Sequence, residues 1–168
     1  MPTSIAALPT LLTLTTLLAA LGSLLMAGVF FAFSTAVMPA LGRAAPEAGM
    51  RLMQTINEVI LNRTFLSAFV GTALLALAAA GLGWAQTPRG VAALLAAGAL
   101  AYAVGVFGVT VALNVPMNET LARLAADSGA GQDYWRVYLR DWVFWNGVRA
   151  MAGGASGACL VAAAVLGR

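Results

Sequence analysis

The chain of 168 residues contains no histidine, no lysine and a single cysteine, Cys159, set in an apolar run. Histidine-ligated haem, zinc and copper sites, disulfides, and Ser-His-Asp or Cys-His dyads are therefore excluded. Without lysine there is neither a Schiff-base nucleophile nor a P-loop ammonium. Charge is also scarce: nine arginines and six acidic residues make 9% of the chain, against roughly 25% in an ordinary soluble domain. The net charge of +3 is too thinly spread to follow a phosphate backbone, so no nucleic-acid partner is expected. Any chemistry must draw on carboxylates, amides, arginine, tyrosine, tryptophan or hydroxyls.

What the chain has in excess is apolar surface, 61% of residues with a mean hydropathy of +0.89. That surface must face lipid, because too few polar residues remain to cover a globule of this size. An ionisable group at the bilayer centre costs about 2.5 to 3.5 kcal/mol, so charge-free stretches locate the spans. Four are expected, at about 8–37, 64–86, 91–113 and 145–166, within one domain covering 1–168. The fold class is thus all-α, an integral membrane four-helix bundle with short interfacial helices in loops one and three. The start lacks a positive n-region and runs on too long for a cleaved signal, so it reads as a retained span.

Small residues four apart suggest close-packed seams: Gly28, Ala32 and Ala36; Ala68, Thr72 and Ala76; Ala97, Ala101 and Gly105; Ala150, Gly154 and Ala158. With four spans, residues 38–63 and 114–141 share one membrane face, and the N-terminus, the Gln86–Gly90 turn and Arg168 share the other. The first face carries Arg43, Arg51, Arg63, Arg123, Arg136 and Arg140, so the positive-inside rule assigns it to the cytoplasm. The chain is read as a multi-pass protein, of the cytoplasmic membrane if bacterial. The bilayer is its main partner, and a homo-oligomer is compatible with the sequence.

Three polar constellations stand where the helices begin. In 50–63, Gln54, Glu58 and Asn62 recur every four residues with Asn57 beside them, opposite an apolar face of Leu52, Met53, Ile56, Val59 and Ile60. At the end of span three, Asn114 and Asn118 flank Pro116, which breaks the hydrogen-bond ladder; Asn118 also suits the cap of a following helix. Finally Trp142, Trp145, Asn146 and Arg149 fall on one helical stripe. The tryptophans suit an interfacial belt, whereas an intramembrane arginine is paired or functional by default, unless it snorkels to the headgroups. Glu58, Glu119 and Asp141 are candidate partners for Arg149, with Asn57, Asn114 and Asn118 available to its remaining donors.

The stretches Phe33-Ser34-Thr35-Ala36-Val37-Met38-Pro39-Ala40-Leu41, Met53-Gln54-Thr55-Ile56-Asn57, Asn114-Val115-Pro116-Met117-Asn118 and Trp142-x-x-Trp145-Asn146-x-x-Arg149 resemble the DUF1772 membrane proteins, the anthrone oxygenase family. The resemblance implies a four-helix membrane protein. It also implies oxidation of planar phenolic or anthrone-like lipophiles by dioxygen, without a cofactor. The chain departs from the family at Gly147, where relatives often carry His after the Asn of the tryptophan motif. On this reading Trp142 and Trp145 sandwich a planar substrate, Asn146 and Arg149 stabilise its oxyanion, and a buried Glu58 or Glu119 takes the proton, oriented by Asn57, Asn114 or Asn118. A salt bridge between either carboxylate and Arg149 competes with that role. The alternative is a protein without catalysis, which binds or carries a small lipophile or serves as an assembly subunit with Arg149 in a registry-fixing network.

Overall fold

The structure, a computed structural model, describes residues 7–167. The expected placement of the N-terminus and Arg168 beside the Gln86–Gly90 turn lies partly outside the described residues, as does the start of the 1–168 domain. Five helices form. Helix α1 comprises Ala7–Ala32, a π-helical stretch Phe33–Val37 and Met38–Arg43; α2 is Pro46–Val59 and α3 is Arg63–Gln86. Helix α4 joins Arg89–Leu100, π-helical Ala101–Gly108 and Thr110–Asn114, and Val115–Arg123, while α5 is Gly129–Leu166. There are no strands among the described residues.

Four helices are long and apolar enough to cross a membrane: Thr10–Arg43, Arg63–Gln86, Arg89–Arg123 and Gly129–Leu166. They pack as a square in which α1 and α4 each contact both α3 and α5. The outer faces expose leucines such as Leu14, Leu21, Leu74 and Leu77, the surface that lipid solvates. With lipid outside as apolar as the core, close backbone approach and interhelical hydrogen bonds hold the helices together. On α1 and α5, Ser23 and Ser156 share a buried 3.1 Å bond, and a Cβ on Gly153 would press on the Ser23 carbonyl at 3.2 Å.

Several of the small-residue seams sit a register away from expectation. Gly28, Ala32 and Ala36 face outward, as do Ala97 and Ala158, and Gly154 has no neighbour within van der Waals reach of a Cβ. The contacts run instead through Ser23, Met26 and Phe30 on α1, Gly98 on α4, and Gly153, Ser156 and Gly157 on α5. Thr72, Ala76 and Gly105 do lie at helix contacts. Where both faces of a helix are apolar, small-residue spacing alone does not say which face meets a neighbour.

Helix lengths define a step at one end of the bundle. The 24 residues of α3 rise about 36 Å, little more than the ~30 Å hydrocarbon core. The 38 residues of α5 rise about 57 Å. Because α3 and α4 meet at the short Thr87–Pro88 turn, the excess of α1, α4 and α5 projects past the start of α3. Helix α2 fills that missing corner. It buries Met50 and Met53 against Met38, Leu41, Leu121, Trp135 and Tyr138. Gln54 donates to the carbonyls of Leu121 at 2.9 Å and Leu124 at 3.0 Å where α4 ends, joining the Leu124 amide on the first of them.

Helix α4 runs on through Pro116 to Arg123, so Asn118 lies within a helix and does not cap a separate one. The π-helical stretch Thr110–Asn114 comes immediately before this proline, and Phe33–Val37 likewise comes immediately before Met38-Pro39. A proline ring clashes with the carbonyl one turn back and lacks an N–H. A locally widened turn relieves both problems without ending the helix.

Candidate functional site

On α5, Trp135, Tyr138, Trp142, Asn146 and Arg149 recur every three or four residues and are all buried. Trp135 stacks on Tyr138 and Tyr138 on Trp142, each with ring centres 5.6 Å apart and planes within 20°. The expected interfacial belt is therefore a core stack. Trp145 does not join it. About 60° around the helix from Trp142, it is partly exposed and meets Phe144 edge-on at 5.1 Å. The expected Trp142–Trp145 sandwich does not form.

Arg149 is 6% exposed at the end of this stripe. One terminal nitrogen donates to Asn146 Oδ1 at 2.7 Å and the other to Thr110 Oγ1 at 3.1 Å. Its Nε has no partner. The guanidinium lies 4.3 Å from the Phe30 ring centre and 5.3 Å from that of Trp142, a cation–π arrangement. Among the described residues it forms no ion pair. The acids are occupied elsewhere: Glu47 and Asp127 lie against Arg51, Glu119 against Arg123, Asp133 against Arg136 and Asp141 against Arg140. Glu58 and Glu119 are exposed and outside the cavity wall. The expectation of a carboxylate beside Arg149 thus fails, because both glutamates sit on the outward arcs of their helices.

The amides are arranged more tightly. Asn146 donates to the Phe30 carbonyl at 2.7 Å and to Ser34 Oγ at 2.6 Å while accepting from Arg149, so both its donors and one of its two acceptor lone pairs are used on the protein. Asn118 Oδ1 accepts from Tyr138 at 2.7 Å and from Trp142 Nε1 at 2.8 Å. That fixes its amide and leaves its Nδ2 donor for the cavity it lines. Asn57 donates weakly to Tyr138 at 3.4 Å, leaving its Oδ1 as an acceptor in the same wall. Asn114 instead ties α4 to α5 by donating to the Trp142 carbonyl at 3.3 Å and lies outside the cavity wall, with Oδ1 unpartnered.

The cavity holds about 90 Å³, room for about three waters at the ~30 Å³ each takes in the liquid. Rings of Phe30, Phe33, Phe65, Phe69 and Trp142 make its apolar walls, and Asn57, Thr110, Asn118, Asn146 and Arg149 its polar points. Five of the nine residues singled out in the sequence therefore line one space: Asn57, Asn118, Trp142, Asn146 and Arg149. Phe30, Ser34, Thr110 and Tyr138 were not singled out. Their signal was available as spacing of four, Phe30 to Ser34, Thr110 to Asn114 and Tyr138 to Trp142. Among the described residues no three His, Cys, Asp or Glu side chains gather as a metal site.

Four apolar membrane-length helices and a buried arginine facing a ring-lined cavity define a multi-pass helical membrane protein with an internal polar site. The family model described as anthrone oxygenase matches residues 53–159, more than half the chain, and the chain belongs to this family. The match runs from Met53 in α2 to Cys159 in α5 and includes every cavity residue except those of α1. No curated protein and no solved structure matches the chain.

Proposed function

We propose that the Arg149 cavity binds a planar phenolic or anthrone-like lipophile and promotes its reaction with dioxygen, in the cytoplasmic membrane where the cell is bacterial. The carrying observation is a buried guanidinium with no carboxylate partner, set in a wall of aromatic rings. Burying a cation is costly unless its environment is compensated or a ligand uses it. A substrate oxyanion supplies the missing charge, and low polarity in the cavity strengthens that attraction. Arg149 is the oxyanion-stabilising residue, with Asn118 Nδ2 as a second donor. Asn146 is a positioning residue, since all its bonds hold the guanidinium and α1.

The reaction uses the substrate's own electrons. Loss of one proton from the doubly benzylic CH₂ of an anthrone gives a delocalised oxyanion. One electron passes to dioxygen, and the resulting carbon radical and superoxide join with a proton to give a hydroperoxide. Loss of water then leaves a second carbonyl, so CH₂ + O₂ becomes C=O + H₂O. The wall offers no carboxylate base, which leaves the proton to water or hydroxide once Arg149 has made the substrate more acidic. Purified protein in lipid nanodiscs, supplied with anthrone and air, is expected to form quinone above the protein-free rate and to lose that excess in Arg149→Met. Equal rates with and without protein would overturn the proposal.

The same lack of a base, together with Gly147, favours a second reading, in which the cavity binds or carries the lipophile without turnover. Ligand quenching of tryptophan fluorescence that depends on Arg149, without quinone formation, would select it.

A further inference from the structure

The cavity is not closed equally on all sides. Phe30, Phe69, Trp142, Asn146 and Arg149 are buried at its inner end. At the other end its wall is Ile60, Leu61 and Phe65, where Leu61 is 65% exposed. This is the step between α2 and α3. The chain leaves α2 at Val59, turns, and starts α3 at Arg63 with Asn62 Oδ1 accepting from the Phe65 amide at 3.0 Å. Exposed Leu66 and Val70 continue the apolar surface down α3 from that mouth. The opening therefore lies on the side of the bundle between α2 and α3, where this apolar surface meets the exposed Glu58, Asn62 and Arg63, and not on the outer surface that carries the Arg51, Arg123 and Arg136 ion pairs.

The size of the space narrows the occupant. At about 90 Å³ the space is smaller than the ~150 Å³ of a cavity that takes up benzene, so it encloses at most a single ring, and the rest of any ligand, an anthrone's outer rings included, must pass out between Ile60, Leu61 and Phe65. The inner end offers donors from Arg149 and Asn118 and one acceptor from Asn57. From these features the geometry points to a phenol or quinol head of a single ring carrying an alkyl or isoprenoid tail. The molecule enters sideways from the bilayer between α2 and α3, its head oxygen on Arg149 and its tail left in lipid along Leu61 and Leu66. This assignment rests on the proposed oxyanion role of Arg149 and adds a substrate class and a route of entry.

Two photoreactive probes in lipid nanodiscs test it, each a phenol with a decyl tail and a diazirine placed either on the ring or midway along the tail. Peptide mapping is expected to find the ring probe near Phe30 and Thr110 and the tail probe within residues 60–70. A further variant, Leu61→Arg, alters an exposed position and places a charge in the mouth. It is expected to cut labelling by the tailed ring probe about tenfold, because the bound tail must then lie against a charge that holds its own hydration, and to change equilibrium labelling by a tail-less phenol diazirine, which leaves nothing in the mouth once bound, by less than about threefold. Ring labelling at the Arg149 wall with tail labelling at 124–141 would overturn lateral entry while leaving the oxyanion site standing. Absence of ring labelling at that wall would overturn the site reading and the entry route together.

Discussion

The two ends of the bundle are built from different materials. Near the Thr87–Pro88 turn, the core is Ala19, Ala20, Ala76, Ala79, Ala99 and Ala163 around Leu95 and Leu160. There the helices approach until glycines touch neighbouring side chains, Gly98 against Leu160 and Gly83 against Leu95. At the other end the contacts are aromatic rings, amides and a guanidinium, the helix turns are widened ahead of Pro39 and Pro116, and α2 and α3 replace one continuous column. Small residues let backbones close on one another in the core, and the space at this end is an open apolar groove on the outside, along Leu24, Gly157, Val161 and Val165. Large rigid rings on widened turns cannot interdigitate as completely, and the space they leave is the cavity. The end built of rings, amides and a guanidinium is the one whose space has the polar points to hold a ligand.

The largest effect is expected from removing the charge at the open end. Arg149→Met should lower quinone formation or ligand affinity about 100-fold or more, the usual cost of losing an oxyanion donor, while thermal unfolding in detergent still shows a folded protein. A fall below about threefold would break the functional half of the comparison. Next, Gly98→Leu at the tight end should destabilise by about 1 to 3 kcal/mol through overpacking, read as a lower unfolding midpoint. Ligand affinity in the surviving fold should stay unchanged, because the cavity lies elsewhere.

Asn118→Ala joins the two properties. It unpairs Tyr138 and Trp142 and should cost about 1 to 3 kcal/mol, with a matching loss of ligand binding measured by tryptophan quenching. Stability loss without binding loss would make Asn118 a scaffold residue alone. The smallest effects belong to groups that the fold turns outward: Glu58→Gln, Glu119→Gln and Trp145→Phe should each stay within about 0.5 kcal/mol in stability and leave turnover intact. A collapse of turnover in Glu58→Gln would restore the glutamate as a base and redraw the site.

Much of this arrangement was visible along the chain. The four apolar stretches became four membrane-length helices, and the spacing of Trp142, Asn146 and Arg149 put them on one face, since 3.6 residues per turn is a property of the helix itself. Trp145 shares that spacing loosely, and only the position of the neighbouring helices decided that it lies outside the contact arc. Helix lengths were less legible, because α1, α4 and α5 continue past the hydrocarbon boundary into polar sequence that reads as loop. Pro116 looked like a terminator, but the π-helical turn before it absorbs the missing donor.

The sequence by itself determined the solvent and the available chemistry. With 61% apolar residues, no histidine and no lysine, the chain had to fold in lipid and had to build any site from carboxylates, amides, hydroxyls, rings and arginine. Tertiary structure decided the partners of Arg149 beyond its own helix, where Asn146 and Trp142 already stand beside it. Five of the six acids are held within reach of surface arginines, four of them against an arginine no more than four positions away on the same helix. Such local pairs form without the fold. The contacts of Arg149 with Thr110 and Phe30 join residues distant in the chain and exist only when α1, α4 and α5 meet.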